Sequence, residues 1–321
     1  MEEVERARER LENVQSVKPI LNGLRTISLG SWQAALKRRS GVQAYAEQLK
    51  CMLPPLLPYL QTDPGFLDRL RARLALRQLL QRGTGANAEA QTEGGKVEAL
   101  VVGSERGLCG RFNLAVAEEA EHYLRERSLR GSHPVLKVLG SRARRVLRRR
   151  GYEAESAGSL AVTTLPPISL AFELTGRWLS AYEEHALDAV DLIFNDYRGT
   201  GTYETTVTRL IPPQLPTNAF SSGELGDAVE IDAWPPPIID TDPMGLYATV
   251  IEQWTAVQFF SVLLNSSAAE HSTRFQLMES ATQNADRLIE DLTLVIQTAR
   301  RQEITQEMAE LATGAGLLQK D

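Results

Sequence analysis

From Leu246 to Thr313 the chain runs about 68 residues without a glycine or a proline. As one helix, at 1.5 Å per residue, that run would extend on the order of 100 Å. Apolar residues recur along it at steps of three and four: Leu246, Val250, Trp254, Val257, Phe260 and Leu263, then Met278, Ala281, Ala285, Leu288, Leu292, Val295 and Ala299. That spacing is the seam of a coiled coil rather than the broad face of a globular helix. Helices in globular domains average about 11–12 residues, so this one has to be extended for a purpose and needs a partner along its length.

The first fifty residues supply a candidate partner. Leu11, Val14, Val17, Ile20, Leu21, Leu24 and Ile27 fall on one side of a helix, although Pro19, Gly23, Gly30 and Gly41 interrupt the pattern. Pro19 predicts a kink unless a partner braces the helix, and "MLPPLLPYL" at 52–60 predicts its end or a bend. An antiparallel pair of terminal helices buries both seams.

The middle has another texture. A loop-like "QRGTGANAEAQTEGG" (81–95) precedes alternating strand and helix signals. "VEALVVG" and "PVLKVLG" predict buried parallel strands, and "FNLAVAEEAEHYLRER" and "SRARRVLRRRG" the helices that follow them. "ISLAFELTGRWLSAYEEHAL" predicts another helix, and "AVDLIFNDY" with the Thr-rich "YETTVTRLIP" an edge pair of strands. Such alternation argues for a small, right-handed wound α/β sheet. The expected organisation is an N-terminal coiled-coil helix (1–60), an α/β foot domain (96–212), a Pro-rich connector (213–244) with weak strand signals at 228–233, and a C-terminal coiled-coil helix (245–321). The predicted fold class is thus a small Rossmann-like α/β domain flanked by a long antiparallel coiled coil.

"VEALVVGSERGLCGRFN" looks like a phosphate-binding loop: a strand, a glycine-punctuated turn and a helix start. Gly103, Gly107 and Gly110 are spaced G-x-x-x-G-x-x-G, however, and Arg111-Phe112 follow. That matches neither G-x-G-x-x-G nor G-x-x-x-x-G-K-[ST]. A strand-to-helix turn with glycines for backbone conformation is the expectation, with Asn113 capping or bracing it. The net charge of -6 excludes a dedicated nucleic-acid binder, whose footprint is basic. Cys51 and Cys109 make no disulfide framework, and the four scattered histidines suggest no metal site. The N-terminus is polar and of mixed charge, unlike a signal peptide, and no apolar run approaches the roughly 20 residues of a membrane span.

"SERGLCGRFN" resembles the S-D-R-G-L-C-G-x-x-N segment of the γ subunits of F-type ATP synthases. Ser104, Arg106, Gly107, Leu108, Cys109, Gly110 and Asn113 match it, with Glu105 in place of Asp. "ITQEMAELATGAG" is similar to that family's C-terminal I-T-x-E-x-x-[DE]-x-x-x-G-A, through Ile304, Thr305, Glu307, Glu310, Gly314 and Ala315. Upstream, Glu270, Arg274, Met278, Ala281, Asn284 and Ala285 match a third segment, with Leu277 replacing an Ala. Near the N-terminus the chain departs from I-T-x-A-M-x-x-V-A-A-x-K: Leu21 stands for the Thr and Gly23-Leu24 for Ala-Met. Arg301 stands where many members carry Gln, and loop 81–95 is longer. These departures fit either the standard γ subunits or the divergent ones of N-type ATPases.

The resemblance implies a non-catalytic central-stalk rotor subunit without cofactor or metal. Its partners would be a hexamer of three α and three β subunits, the ε subunit and the membrane c-ring. It would be a peripheral protein on the cytoplasmic face of the cell membrane, as part of F1Fo. Arg300, Arg301, Ile304, Thr305, Gln306, Glu307, Glu310, Gly314 and Ala315 would form the collar that meets the α and β subunits. Two other classes fit parts of the chain: a coiled-coil scaffold, and a nucleotide-dependent α/β enzyme, which lacks an acid–base or nucleophile cluster. The basic run 141–150 is either a solvated face or a contact to anionic headgroups or rotor loops.

Overall fold

The structure, a computed structural model, describes residues 2–61, 95–160, 165–213 and 239–314. Most of loop 81–95, the weak strand signal at 228–233 and Ala315 lie outside the described residues. The elements in order are α1 (Glu2–Gln61), β1 (Val97–Val102), α2 (Phe112–Leu129), β2 (Val135–Leu139), α3 (Ser141–Arg149), β3 (Glu155–Gly158), α4 (Ile168–Glu183), β4 (Ala189–Gly199), β5 (Thr202–Ile211) and α5 (Pro243–Gly314). Two compact units result, Met1–Gly30 with Arg274–Asp321, and Ser31–Thr273. Both α1 and α5 contribute a segment to each.

In the first unit the two helices run antiparallel. Lys18 pairs with Asp286 at 2.5 Å and Arg25 with Glu279 at 2.6 Å, and both pairs obey one register. Helix α1 is unbroken through Pro19: a proline deletes one backbone hydrogen bond, and the partner helix beside it holds the rest in line. Nor do the prolines after Leu53 end the helix, which continues to Gln61. The expected seam of α1 needs correction, because Val17, Ile20 and Ile27 are exposed. Ala7 and Ser28 are buried instead, with Leu11, Val14, Leu21 and Leu24 half-buried.

The second unit holds the sheet, in order β3-β2-β1-β4-β5. The first four strands are parallel, and β5 returns antiparallel on β4. Every residue of β1 is buried, as are Ala189–Asn195 of β4. Parallel strands covered on both faces read as continuous apolar runs, which is why these two were legible. One face, with Ala99, Val101, Val138 and Ile193, packs on α2 and α3. The other, with Leu100, Val102, Leu192 and Phe194, packs on α4 and α5. The short edge strand β3, "ESAG", was not expected; it has no apolar pattern and forms by pairing with β2.

Here the seam assigned to α5 also needs correction. Between Val250 and Ala269 the helix buries Ile251, Ala256, Phe259, Leu264 and Ala268 as well as the seam residues Val250, Val257, Phe260 and Leu263. It is a core helix over this stretch, because sheet, α4 and α1 residues all pack on it. Trp178 of α4 meets Phe259 edge-on, 5.2 Å between ring centroids.

Candidate functional site

Two segments singled out by sequence are structured very differently. The first is the turn after β1. With β2 on one side of β1 and β4 on the other, it lies at the switch point where open α/β sheets commonly bind ligands. A phosphate there needs free backbone N–H groups. Three of the turn's are already used: Gly103 N donates to Leu139 O at 2.8 Å, Ser104 N to Asn113 Oδ1 at 3.0 Å and Phe112 N to Cys109 O at 3.2 Å. Asn113 braces the turn rather than capping a helix. Its Nδ2 donates to Ser104 Oγ at 2.8 Å and contacts Cys109 Sγ at 3.3 Å.

Helix α3 begins beside this turn, and its N-terminal N–H groups would attract an anion. That anion is the chain's own Glu105. Its carboxylate accepts from Ser141 N and from Leu160 N, each at 3.1 Å, and from Ser159 Oγ at 3.5 Å. Burial alone would raise the Glu105 carboxyl, but these donors outweigh it and hold it below the usual carboxylate range. Glu105 drew notice in the sequence only as a replacement for Asp.

The glycines serve close packing. A Cβ on Gly103 would lie 2.2 Å from Ala143 Cβ, and one on Gly140 (φ 102°) would lie 2.7 Å from Gly103 C. The turns after β1 and β2 therefore touch backbone to backbone. Gly110 takes the left-handed φ of 58°, and Leu108 takes φ 61° while 60% exposed; that conformation costs an L residue about 1–2 kcal/mol. Gly107 and Arg106 are half-exposed on the same rim. Behind it, Cys109 and Phe112 are buried against Ala269 of α5. Asn195 Nδ2 holds Phe112 O at 2.8 Å, and the Tyr203 ring meets Phe112 edge-on at 5.6 Å. The turn is a wedge that fastens the sheet to the long helix.

The second segment is the end of α5. In the register of Lys18–Asp286 and Arg25–Glu279, Glu2 faces Gln302, so Glu303–Gly314 run past the first residue of α1. Arg300, Arg301, Ile304, Thr305, Gln306, Glu307 and Glu310 are all exposed. Two side-chain bonds run along the helix here: Thr305 Oγ1 donates to Arg301 O at 2.7 Å, and Gln306 Nε2 to Glu310 Oε1 at 3.1 Å. Met308 and Leu311 are 66% and 73% exposed, on a helix that gains nothing from them within the described residues. Gly314 is the last helical residue.

A third feature was missed in the sequence. Asp191 of β4 is buried and accepts from Arg209 Nε at 2.7 Å, from Arg127 Nη2 at 3.1 Å and from Tyr123 Oη at 2.5 Å. Burial first, and the Asp191 charge second, push the Tyr123 phenol above its ordinary range. One charged residue inside the apolar "AVDLIF" was the available signal. With two guanidinium partners the buried carboxylate is compensated, and the cluster is structural. Among the described residues no group of three or more His, Cys, Asp or Glu is placed to hold a metal. No described helix is long and apolar enough to cross a membrane.

The fold is thus an α/β protein whose switch-point turn packs a wound sheet against a long helix. Comparison with known proteins gives the family. The family model described as ATP synthase matches residues 3–318. The ATP synthase gamma chain of Anaeromyxobacter dehalogenans (strain 2CP-C) is 30% identical over 317 residues, covering 97% of this chain and 98% of that one. That of Synechococcus elongatus (strain ATCC 33912 / PCC 7942 / FACHB-805) is 26% identical over 327 residues, with 97% of each covered. In fold, the chain resembles one in the Euglena gracilis mitochondrial ATP synthase structure (OSCP/F1/c-ring, rotational state 3), with a TM-score of 0.55 at 14% identity, over 99% of this chain and 97% of that one. The chain belongs to the family of ATP synthase gamma chains. It is accordingly a non-catalytic rotor subunit of the central stalk, peripheral in a membrane-associated assembly.

Proposed function

We propose that this chain couples c-ring rotation to ATP synthesis through contacts made by Arg300, Arg301, Ile304, Thr305, Gln306, Glu307, Glu310, Gly314 and Ala315 with surrounding α and β subunits. Segments 1–60 and 245–321 form the shaft and 96–212 the foot, joined by the connector 213–244. The foot meets the ε subunit and the c-ring, on the cytoplasmic face of the membrane. The chain does no chemistry. An asymmetric shaft touches three equivalent catalytic sites differently, and only such a difference moves each site between its conformations. The exposure of residues 300–311 carries the assignment of the collar: charged and apolar side chains stand open along this stretch of helix. Contacts that must break at every step suit exposed polar pairs of about 0–1 kcal/mol.

The test is ATP synthesis by membrane vesicles holding the assembled enzyme with Arg300→Ala or Glu307→Gly. Assembly should be normal, and the ratio of synthesis to hydrolysis should fall up to about fivefold per lost contact. Unchanged coupling in both variants would rule out this collar.

A further inference from the structure

Helix α3 carries a charge distribution that its own stability does not account for. Arg142, Arg144, Arg145, Arg148 and Arg149 are exposed, and at 100° per residue they span roughly 160° of one face. Ala143 and Leu147, on the opposite face, are buried. No described acidic group pairs with these five. Two carboxylates of neighbouring α2 are engaged elsewhere: Arg150 takes Glu118 and Glu121, and Arg111 also reaches Glu118. Two placements work against the helix. Arg144–Arg148 and Arg145–Arg149 are like charges four residues apart, which destabilise a helix. Arg142 and Arg144 also sit in the first turn, where the helix dipole opposes cations and only Glu105, from outside the helix, offsets it, whereas Arg148 and Arg149 in the last turn are favoured by it.

We infer that this face of α3 is a docking surface for the phosphodiesters of acidic phospholipids at the membrane surface. Guanidinium groups bind phosphate oxygens in pairs, and an anionic layer over the face turns five mutually repelling cations into stabilised ones. The exposed side of α3 has no large apolar residue, so it lacks the buried anchor around which a protein interface is built. It has no cradle for a single ion either. A two-turn grid of mobile cations fits a fluid array of headgroups. The chain's overall charge of -6 does not cancel this attraction, because distant charges are screened beyond a Debye length of about 8 Å. The inference rests on membership in a membrane-associated assembly and is independent of the collar.

The test is flotation of the full-length chain with vesicles of pure phosphatidylcholine and with vesicles of phosphatidylcholine and phosphatidylglycerol in a two-to-one ratio. The chain should float with the anionic vesicles alone, and the binding should vanish as salt shortens the Debye length from about 10 Å toward 3 Å. Replacing all five arginines by glutamine should lower partitioning by at least about a hundredfold. A control with Arg8, Arg10, Arg38, Arg39 and Arg287 changed to glutamine should stay within about threefold of wild type. If circular dichroism finds the five-fold variant unfolded, the pair Arg144→Gln/Arg148→Gln should still lose about tenfold. Equal loss in the control, or equal binding to neutral vesicles, overturns the inference. So does unchanged vesicle binding with loss of an acidic subunit from the purified assembly, which would make α3 a protein contact. ATP-synthesis coupling in the Arg300 and Glu307 variants is unaffected by any of these results.

Discussion

Gly103→Ala tests whether the glycine turn exists for packing. The new Cβ would lie 2.2 Å from Ala143 Cβ and 3.0 Å from Asn113 Oδ1. Carbon atoms in contact sit about 3.5–4.0 Å apart, so the end of β1 and the start of α3 would have to separate by roughly 1.5 Å. Neither yields easily. Gly103 N is bonded to Leu139 O at 2.8 Å and Arg142 N to Ser104 O at 3.0 Å, so moving one turn drags the other. Overpacking of this kind costs about 1–3 kcal/mol, and fixed backbones put this site at the upper end. Ala143→Gly alone should cost about 2 kcal/mol, from helix propensity and one buried methyl. If the methyl–methyl overlap is the cause, the double variant is scarcely less stable than Ala143→Gly, a coupling of about 3 kcal/mol. Urea unfolding of the full-length chain, followed by circular dichroism, reads this as a midpoint at least about 1 M above the one that the summed single losses give, at unchanged slope. Additivity within about 0.5 kcal/mol would refute the packing argument.

Glu105→Gln should lower stability at neutral pH by about 1 kcal/mol, since an amide cannot accept all the bonds the carboxylate holds. A depressed folded pKa contributes stability above the unfolded carboxyl value of about 4.3 and loses it as pH falls through the folded value. The gap between wild type and variant in urea midpoint should therefore close in acid; a gap that persists there means the charge is irrelevant. Asp191→Asn should cost about 3–5 kcal/mol, because Arg127 and Arg209 are left largely buried without their counter-charge. A thermal-unfolding loss below about 1 kcal/mol would show that the cluster is solvated.

How much of this was legible depended on where the information lay. The strands β1 and β4 were readable because burial on both faces leaves an unbroken apolar run. β3 was not, because "ESAG" is a strand only through its neighbour β2. The periodicity of α5 showed that it packs, but not on how many sides. Phe259 and Leu264 lie off the seam, and only the presence of the sheet makes them core. Pro19 is the conditional case, since a local breaker is overridden when a partner helix lies alongside, the exception its reading allows. For the candidate site, the spacing of Gly103, Gly107 and Gly110 marked a strand-to-helix turn, and such a turn joins β1 to α2. The part played by Glu105 was hidden, because its partners Ser141, Ser159 and Leu160 are 36 to 55 residues away. The segment 300–310 stands out in the sequence through its motif, and its residues are exposed.

The two ends of α5 then differ in the way a torque-bearing shaft requires. Near the wedge, Phe259, Phe260, Leu263 and Leu264 are each at least 96% buried. At about 1.5–3 kcal/mol per fully buried side chain, these four alone hold the sheet to the helix with roughly 6–12 kcal/mol, and Ala268 and Ala269 let the turn approach closely. From Leu288 onward no described side chain of α5 is fully buried, and the proposed collar contacts are worth about 0–1 kcal/mol each. A contact that exchanges partners during rotation has to be weaker than the joint that drives it, or the joint would slip first. The sequence arranges this along one helix by where it places its large apolar residues: on the sheet side at 259–264, and in polar surroundings after 300.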